Sequence, residues 1–313
     1  MLAILASLAP VVLVIALGYG LFRTGAISEA MWSALEHVCY YLFFPALIIY
    51  TLARTDFSEL MLGRLVLGFM AALAAGCLIL VAGKPLLTRV FGLSNAGFTS
   101  LFQGATRWHG FMALAIVTAL YGPSGVAVVA VGLAALVPVL NIINVLVLLR
   151  WGDRPGAPPE AILGQLLRNP FIIACGLGAL LNATGIGLPQ PFDTAVKSIG
   201  DGALGVSLLT IGAGLRPITA RGEKGAIIFG ILFRLILMPV IFYLCLTAFG
   251  VTGQVRTVGV ICGAVPTAAS AYVLARKLGG DAPLMANMIT AQVLAAGLTL
   301  PFVILAMEWL AQT

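Results

Sequence analysis

Apolar runs long enough to cross a lipid bilayer recur from one end of this 313-residue chain to the other. A membrane-spanning helix needs about 20 consecutive apolar residues. Breaks at charges, Pro and Gly divide the chain into ten such segments, at 2–22, 33–53, 63–83, 96–120, 124–150, 168–186, 197–216, 225–248, 255–277 and 284–309. Composition leaves little room for another class. Hydrophobic residues make up 61% and charged residues 9%, against about 25% charged in an average soluble protein. Too few polar side chains remain to cover a water-facing surface. That excludes a soluble enzyme, a disordered chain and a disulfide-stapled secreted domain. A transmembrane β-barrel would carry roughly ten-residue stretches of alternating polarity, whereas these runs are unbroken. The expected class is an all-α polytopic membrane protein.

The first run, 2–22, has no positive residues before it and is long enough to span, so it reads as a retained helix rather than a signal peptide. Cys39, Cys77, Cys175, Cys245 and Cys262 all lie inside apolar runs without metal-ligand spacing, and read as small core residues. The net charge of +6 marks loops rather than a nucleic-acid surface, because basic residues collect on the cytoplasmic side. Loops after odd-numbered spans hold Arg23, Lys84, Arg89, Arg150, Arg154, Arg168, Arg216, Arg221, Lys224, Arg276 and Lys277. Loops after even-numbered spans hold only Arg54, Arg64, Lys197 and Arg256. The bias puts both termini outside, with the protein in the plasma (inner) membrane. The longest connection, 151–167, joins a first half, 1–150, to a second, 168–313. Five spans per half is an odd number, so the halves enter the membrane from opposite sides. Such inverted five-helix repeats are typical of secondary transporters with a midplane site.

Two basic residues remain inside spans, Arg107 and Arg234. An intramembrane charge costs about 2.5–3.5 kcal/mol on insertion scales and usually faces a cavity or a partner. Arg107 sits mid-span in Gln103-Gly104-Ala105-Thr106-Arg107-Trp108-His109-Gly110. In an unbroken helix Arg107 and His109 would be about 200° apart. Gly104 and Gly110 bracket them and permit irregular backbone, which is tolerated at this depth only beside a cavity or within protein. In the ninth span Pro266 plays the breaking part. It has no N–H for the carbonyl of Cys262, four residues back. A half-helix beginning near Thr267 would present free N–H groups and a positive dipole end, with Thr267 and Ser270 adding hydroxyls. Spans 4 and 9 hold equivalent positions in the two halves, and paired broken helices are the best sequence pointer to a transport site. A basic residue beside helix N-termini favours an anion. Each feature also has a plainer reading: a simple proline kink, an arginine tied to backbone carbonyls, a core histidine.

Asn141 and Asn144 share a face of span 5 and either bind a carboxylate or join helices by polar contacts. Asn287 and Thr290, with Gln292 offset, carry the same alternatives in span 10. Arg234, about ten residues into span 8, has no acidic residue obvious at its depth. Intramembrane acids are nearly absent, which weakens proton or sodium coupling without removing it. Carbonyls near Cys262 could hold sodium, and His109 could carry a proton.

Several runs together resemble a known family. They are Pro45-Ala46-Leu47, the Asn141–Asn144 stretch, Asn169-Pro170, Ile211-Gly212-Ala213-Gly214-Leu215, the run from Val265-Pro266-Thr267 to Ala275 followed by Gly279-Gly280-Asp281, and Thr299-Leu300-Pro301. The chain resembles the auxin efflux carrier family, a relative of the bile acid:sodium symporters, over nearly its whole length. The resemblance implies ten helices in two inverted repeats, with helices 4 and 9 crossing at the substrate site. It implies a scaffold of helices 1, 2, 6 and 7, a transport domain of helices 3–5 and 8–10, and a homodimer. It implies small organic anions as substrates, auxin or dicarboxylates among them, and no cofactor. Bacterial members often carry Arg-x-Asn in helix 4, whereas this chain has Arg107-Trp108-His109, so substrate choice or pH response is expected to differ.

The expected function is therefore a carrier of small organic anions. The candidate substrate-binding residues are Gln103, Thr106, Arg107, His109, Asn141, Asn144, Pro266, Thr267 and Ser270, with Arg234, Thr290 and Gln292 as accessories. An anion channel is the nearest rival. A more distant one is an intramembrane serine protease, suggested by Gly122-Pro123-Ser124-Gly125. Its serine would need a histidine within reach, and His109 is about 22 Å away along a helix.

Overall fold

The computed structural model describes residues 2–56, 61–153, 170–215 and 223–312. The described residues are helical, with short connections and no strand. In chain order the helices are α1 (Leu2–Arg23), α2 (Glu29–Val38), α3 (Phe44–Leu52), α4 (Leu62–Phe91), α5 (Asn95–Thr106), α6 (Gly110–Trp151) and α7 (Pro170–Ala183). There follow α8 (Phe192–Asp201), α9 (Ala203–Ala213), α10 (Lys224–Leu232), α11 (Met238–Ala248), α12 (Gly253–Ala264), α13 (Ser270–Leu278) and α14 (Ala282–Gln312). Five stretches are long and apolar enough to cross a membrane: Glu29–Leu52, Leu62–Phe91, Asn95–Trp151, Lys224–Ala248 and Ala282–Leu310. Ala9–Arg23 and Pro170–Ala183 are shorter apolar helices.

Local chemistry explains the irregular points. A π turn over Cys39–Phe43 joins α2 to α3, and another over Phe233–Leu237 joins α10 to α11. A proline follows each, Pro45 and Pro239, and deprives the carbonyl four residues back of its helical donor. The wider turn lets the backbone step past, with Phe44 N–H donating to the Cys39 carbonyl and Met238 N–H to that of Phe233. Asn95–Trp151 covers 57 residues, about 85 Å of helix and enough for two crossings. It turns at Gly122 (φ 59°, ψ −151°), a conformation only glycine adopts readily. The α4 helix runs beyond the expected limit at 83 because Lys84 snorkels. Its Nζ donates to Asn95 Oδ1 at 2.9 Å and lies 5.3 Å from the centre of the Trp151 ring. Span 7 begins earlier than expected, with α8 at Phe192. The 154–167 part of the linker, Arg168, Asn169, Arg216 and Arg221 lie outside the described residues.

The chain forms two compact units. The first comprises Met1–Gly63, Gly110–Ala134 and Gly164–Leu215. Within it a glycine on each of α1 and α9 lies against the backbone of the other helix. A Cβ on Gly212 would sit 1.9 Å from the Ile15 carbonyl oxygen, and one on Gly18 2.1 Å from that of Leu209. Small residues allow such backbone approach where lipid supplies no hydrophobic drive. Phe44, Phe111 and Phe171 form an aromatic cluster beside α3, with Phe44 and Phe111 centroids 4.4 Å apart. Asn182 donates to the carbonyls of Leu52 and Thr55 at the end of α3, and Arg54 pairs with Asp193.

The second unit comprises Arg64–His109, Ala135–Leu163 and Arg216–Thr313. Its centre is made of two short helices. Every residue of α5 from Ala96 to Thr106 is buried, as is every residue of α12 from Thr257 to Ala264. Neither stretch carries a charge, which is what burial on all sides requires. The long α14 packs against α5, α10, α12 and α13. At its start Asp281 caps Leu284 N–H and its carbonyl accepts from the Ser100 hydroxyl. Glu223 titrates above the ordinary carboxylate range, through burial first and then the neighbouring Asp281.

Candidate functional site

Both central helices of the second unit stop in the same way. After α5, Arg107 is extended (φ −69°, ψ 149°) and its N–H returns to the Gln103 carbonyl at 2.9 Å. After α12, Val265 is extended (φ −73°, ψ 149°) and its N–H returns to that of Ile261 at 3.2 Å. Each helix has 12 residues. Backbone resumes as helix at Gly110 and at Ser270. Gly104 was expected to loosen the backbone, but it is helical. A Cβ there would meet Met288 Sδ at 2.0 Å, so its role is close packing.

The Arg107 guanidinium is only partly engaged. Its Nη2 donates to Asn141 Oδ1 at 2.8 Å, while Nη1 is buried without a hydrogen-bond partner. The ion pairs among the described residues are Arg54–Asp193 and Lys197–Asp201, so no carboxylate neutralises Arg107 there. Four residues earlier, Gln103 is fully buried and neither atom of its amide is bonded. Asn144, one turn along from Asn141, donates to the Leu140 carbonyl and leaves Oδ1 buried and unbonded. The Trp108 indole N–H is also buried without a partner. Thr106 directs its hydroxyl to the Phe102 carbonyl of its own helix, and His109 is half-buried.

Thr267 does a different job from the expected one. Its N–H donates to Gln292 Oε1 at 2.9 Å, so that N–H is not free for a ligand. Its hydroxyl donates to the Gly104 carbonyl and lies 3.3 Å from that of Arg107, which joins one break to the other. Gln292 completes the link, donating to Gly104 at 2.8 Å and to Gly230 at 3.1 Å. Pro266 is buried, whereas Ser270 is exposed and outside this network. Asn287 and Thr290 are buried on α14. Arg234 finds its partners in the carbonyls of Val265 and Cys262, at 2.8 and 3.1 Å. The central position of Gln292 was not legible beforehand. The available hint was that Gln292 and Asn287 are the amide side chains of that span, each with two donors and an acceptor, and Gln292 has the longer reach.

Ser124 lies in α6 just after the turn at Gly122, exposed, with its hydroxyl on the Tyr121 carbonyl at 3.1 Å. A bond of this kind closes a helical turn.

A model of the membrane transport protein family matches residues 3–154 and 159–304. The chain belongs to that family. This is the auxin efflux carrier family of the sequence resemblance, and it is a family of transporters rather than enzymes. The two matched stretches divide within the 151–167 connection. The protein is thus a multi-pass membrane transporter of the auxin efflux carrier type. No curated protein matches the chain.

Proposed function

We propose that this transporter is a secondary carrier of small organic anions, mono- or dicarboxylates, working by alternating access. One observation carries the reading: a part-buried guanidinium whose Nη1 is buried and unbonded, with no carboxylate partner among the described residues. Buried polar groups are nearly always bonded, and leaving one unmet costs about 1–3 kcal/mol. Gln103, Arg107 and Asn144 together leave four such atoms around the α5 break. A carboxylate accepts from Arg107 and from the Gln103 amide, and a protonated acid or hydroxyl elsewhere on the substrate donates to Asn144. Asn141 holds the guanidinium. Thr267, Gln292 and Pro266 keep the two breaks joined.

The matching ends of α5 and α12 support an inverted repeat of ten helices, with helices 4 and 9 broken and crossing at the site. Helices 1, 2, 6 and 7 fall within one compact unit, which supports a scaffold role. Residues 110–134, parts of spans 4 and 5, group with them as well. The bundle holding both breaks moves against the other. Basic residues put both termini outside the inner membrane.

The test is a thermal-shift and uptake screen of small carboxylates on purified protein across pH. Saturable uptake with counterflow is expected, and large unitary currents would instead make it a channel. In the same assay His109→Asn is expected to flatten the pH profile of uptake, because asparagine keeps a hydrogen-bonding side chain but cannot take up a proton. An unchanged profile removes His109 from the mechanism.

A further inference from the structure

Arg234 is the largest fully buried side chain among the described residues, with 1% of its surface exposed. It lies in the π turn ahead of Pro239, and it meets carbonyls that have lost their helical donors at the α12 break. Pro266 has no N–H to give Cys262, and the extended Val265 turns its own carbonyl out of the helix. Nη2 of Arg234 takes the first and Nε the second. These carbonyls stand at the C-terminal end of α12, where the dipole is negative and a cation is favoured. Unwound carbonyls with a helix C-terminal end are also the chemistry that holds sodium in carriers with broken helices. Here a side chain of the protein itself occupies them.

We propose that Arg234 is a built-in cation that stands where a coupling ion would bind, so that the ninth-span break is held together, and transport proceeds, without sodium. Its role differs from that of Arg107. Both donors described for Arg234 go to backbone, and none is aimed at a substrate. Arg234 is therefore a positioning residue, which fixes the geometry that Thr267 and Gln292 hold from the other side of the break.

The inference rests on the carrier reading only for its transport arm. Thermal unfolding of the purified full chain, in equal concentrations of sodium, potassium or choline chloride, tests it without any substrate. The wild-type midpoint is expected to be the same in all three salts. A rise specific to sodium or potassium overturns the proposal. Arg234→Ala vacates the carbonyls. It is expected to unfold earlier in choline and to recover by about 3 °C or more in sodium or potassium, as binding to the folded state alone requires. No recovery in either ion overturns the proposal. Arg234→Lys, which keeps a cation in place, covers the case in which the alanine variant does not fold. Its midpoint is expected to be indifferent to the salt, and a sodium-dependent lysine variant counts against the proposal. In vesicles, wild-type uptake of a carboxylate found in the screen is expected to be unaffected by replacing sodium with choline. Uptake that collapses without sodium refutes it, whereas a failure of the screen itself refutes only the anion reading.

Discussion

Arg107→Gln is expected to reduce uptake of the transported anion by about 100-fold or more while leaving the protein as stable as the wild type, or more so. The two halves of this expectation come from the same atoms. Charge-assisted hydrogen bonds contribute about 1.5–3 kcal/mol each, and every 1.4 kcal/mol is tenfold in affinity. Losing the charge together with one or two such bonds gives that factor. Glutamine still reaches toward Asn141, so the packing at the end of α5 is preserved. It also removes a part-buried cation whose Nη1 is buried without a partner, and desolvating an unpaired charge opposes folding. Sites that are unstable for the sake of function show this trade. Arg107→Lys keeps the charge without the planar fork and should fall between the two. Uptake with unchanged affinity in a folded Arg107→Gln would remove the residue from the site. Loss of the fold would make it a structural tie instead.

The apolar runs made the all-helical, multi-pass class legible, because bilayer thickness sets a length that no soluble helix needs to respect. Ends were less so. The Lys84 side chain reaches polar and aromatic partners from inside α4, and a charge that can snorkel does not mark where a helix stops. The proline break was readable from chemistry alone, since a missing N–H must strand the Cys262 carbonyl. The residue that meets it, Arg234, lies 28 positions away and could not be assigned. Reading Gly104 as a loosened hinge was reasonable for a glycine beside an arginine. It gave way to a packing contact with Met288, which no local pattern announces. The same limit applied to Thr267. Its expected free N–H and hydroxyl are engaged by groups 25 and 163 residues distant.

Gln292 gives the second large effect, on stability rather than binding. Its amide makes three hydrogen bonds, from Thr267 N–H and to the Gly104 and Gly230 carbonyls. Gln292→Leu strands the Thr267 N–H outright, at about 1–3 kcal/mol. Interhelical bonds in membranes are worth about 0.6 kcal/mol on average and 1.7 at most, so the whole loss should be about 2–4 kcal/mol. At about 2–4 °C per kcal/mol for a domain of 150–250 residues, the unfolding midpoint falls by roughly 5–15 °C. The Gly104 carbonyl sharpens the test, because it accepts from both Gln292 and the Thr267 hydroxyl. Either Gln292→Leu or Thr267→Val alone leaves it one donor, and the two together leave none. The double variant is therefore expected to lose more than the sum of the single losses, by about 1 kcal/mol. Additive losses would mean that the Gly104 carbonyl finds another partner, and that the two breaks are not held together at that atom.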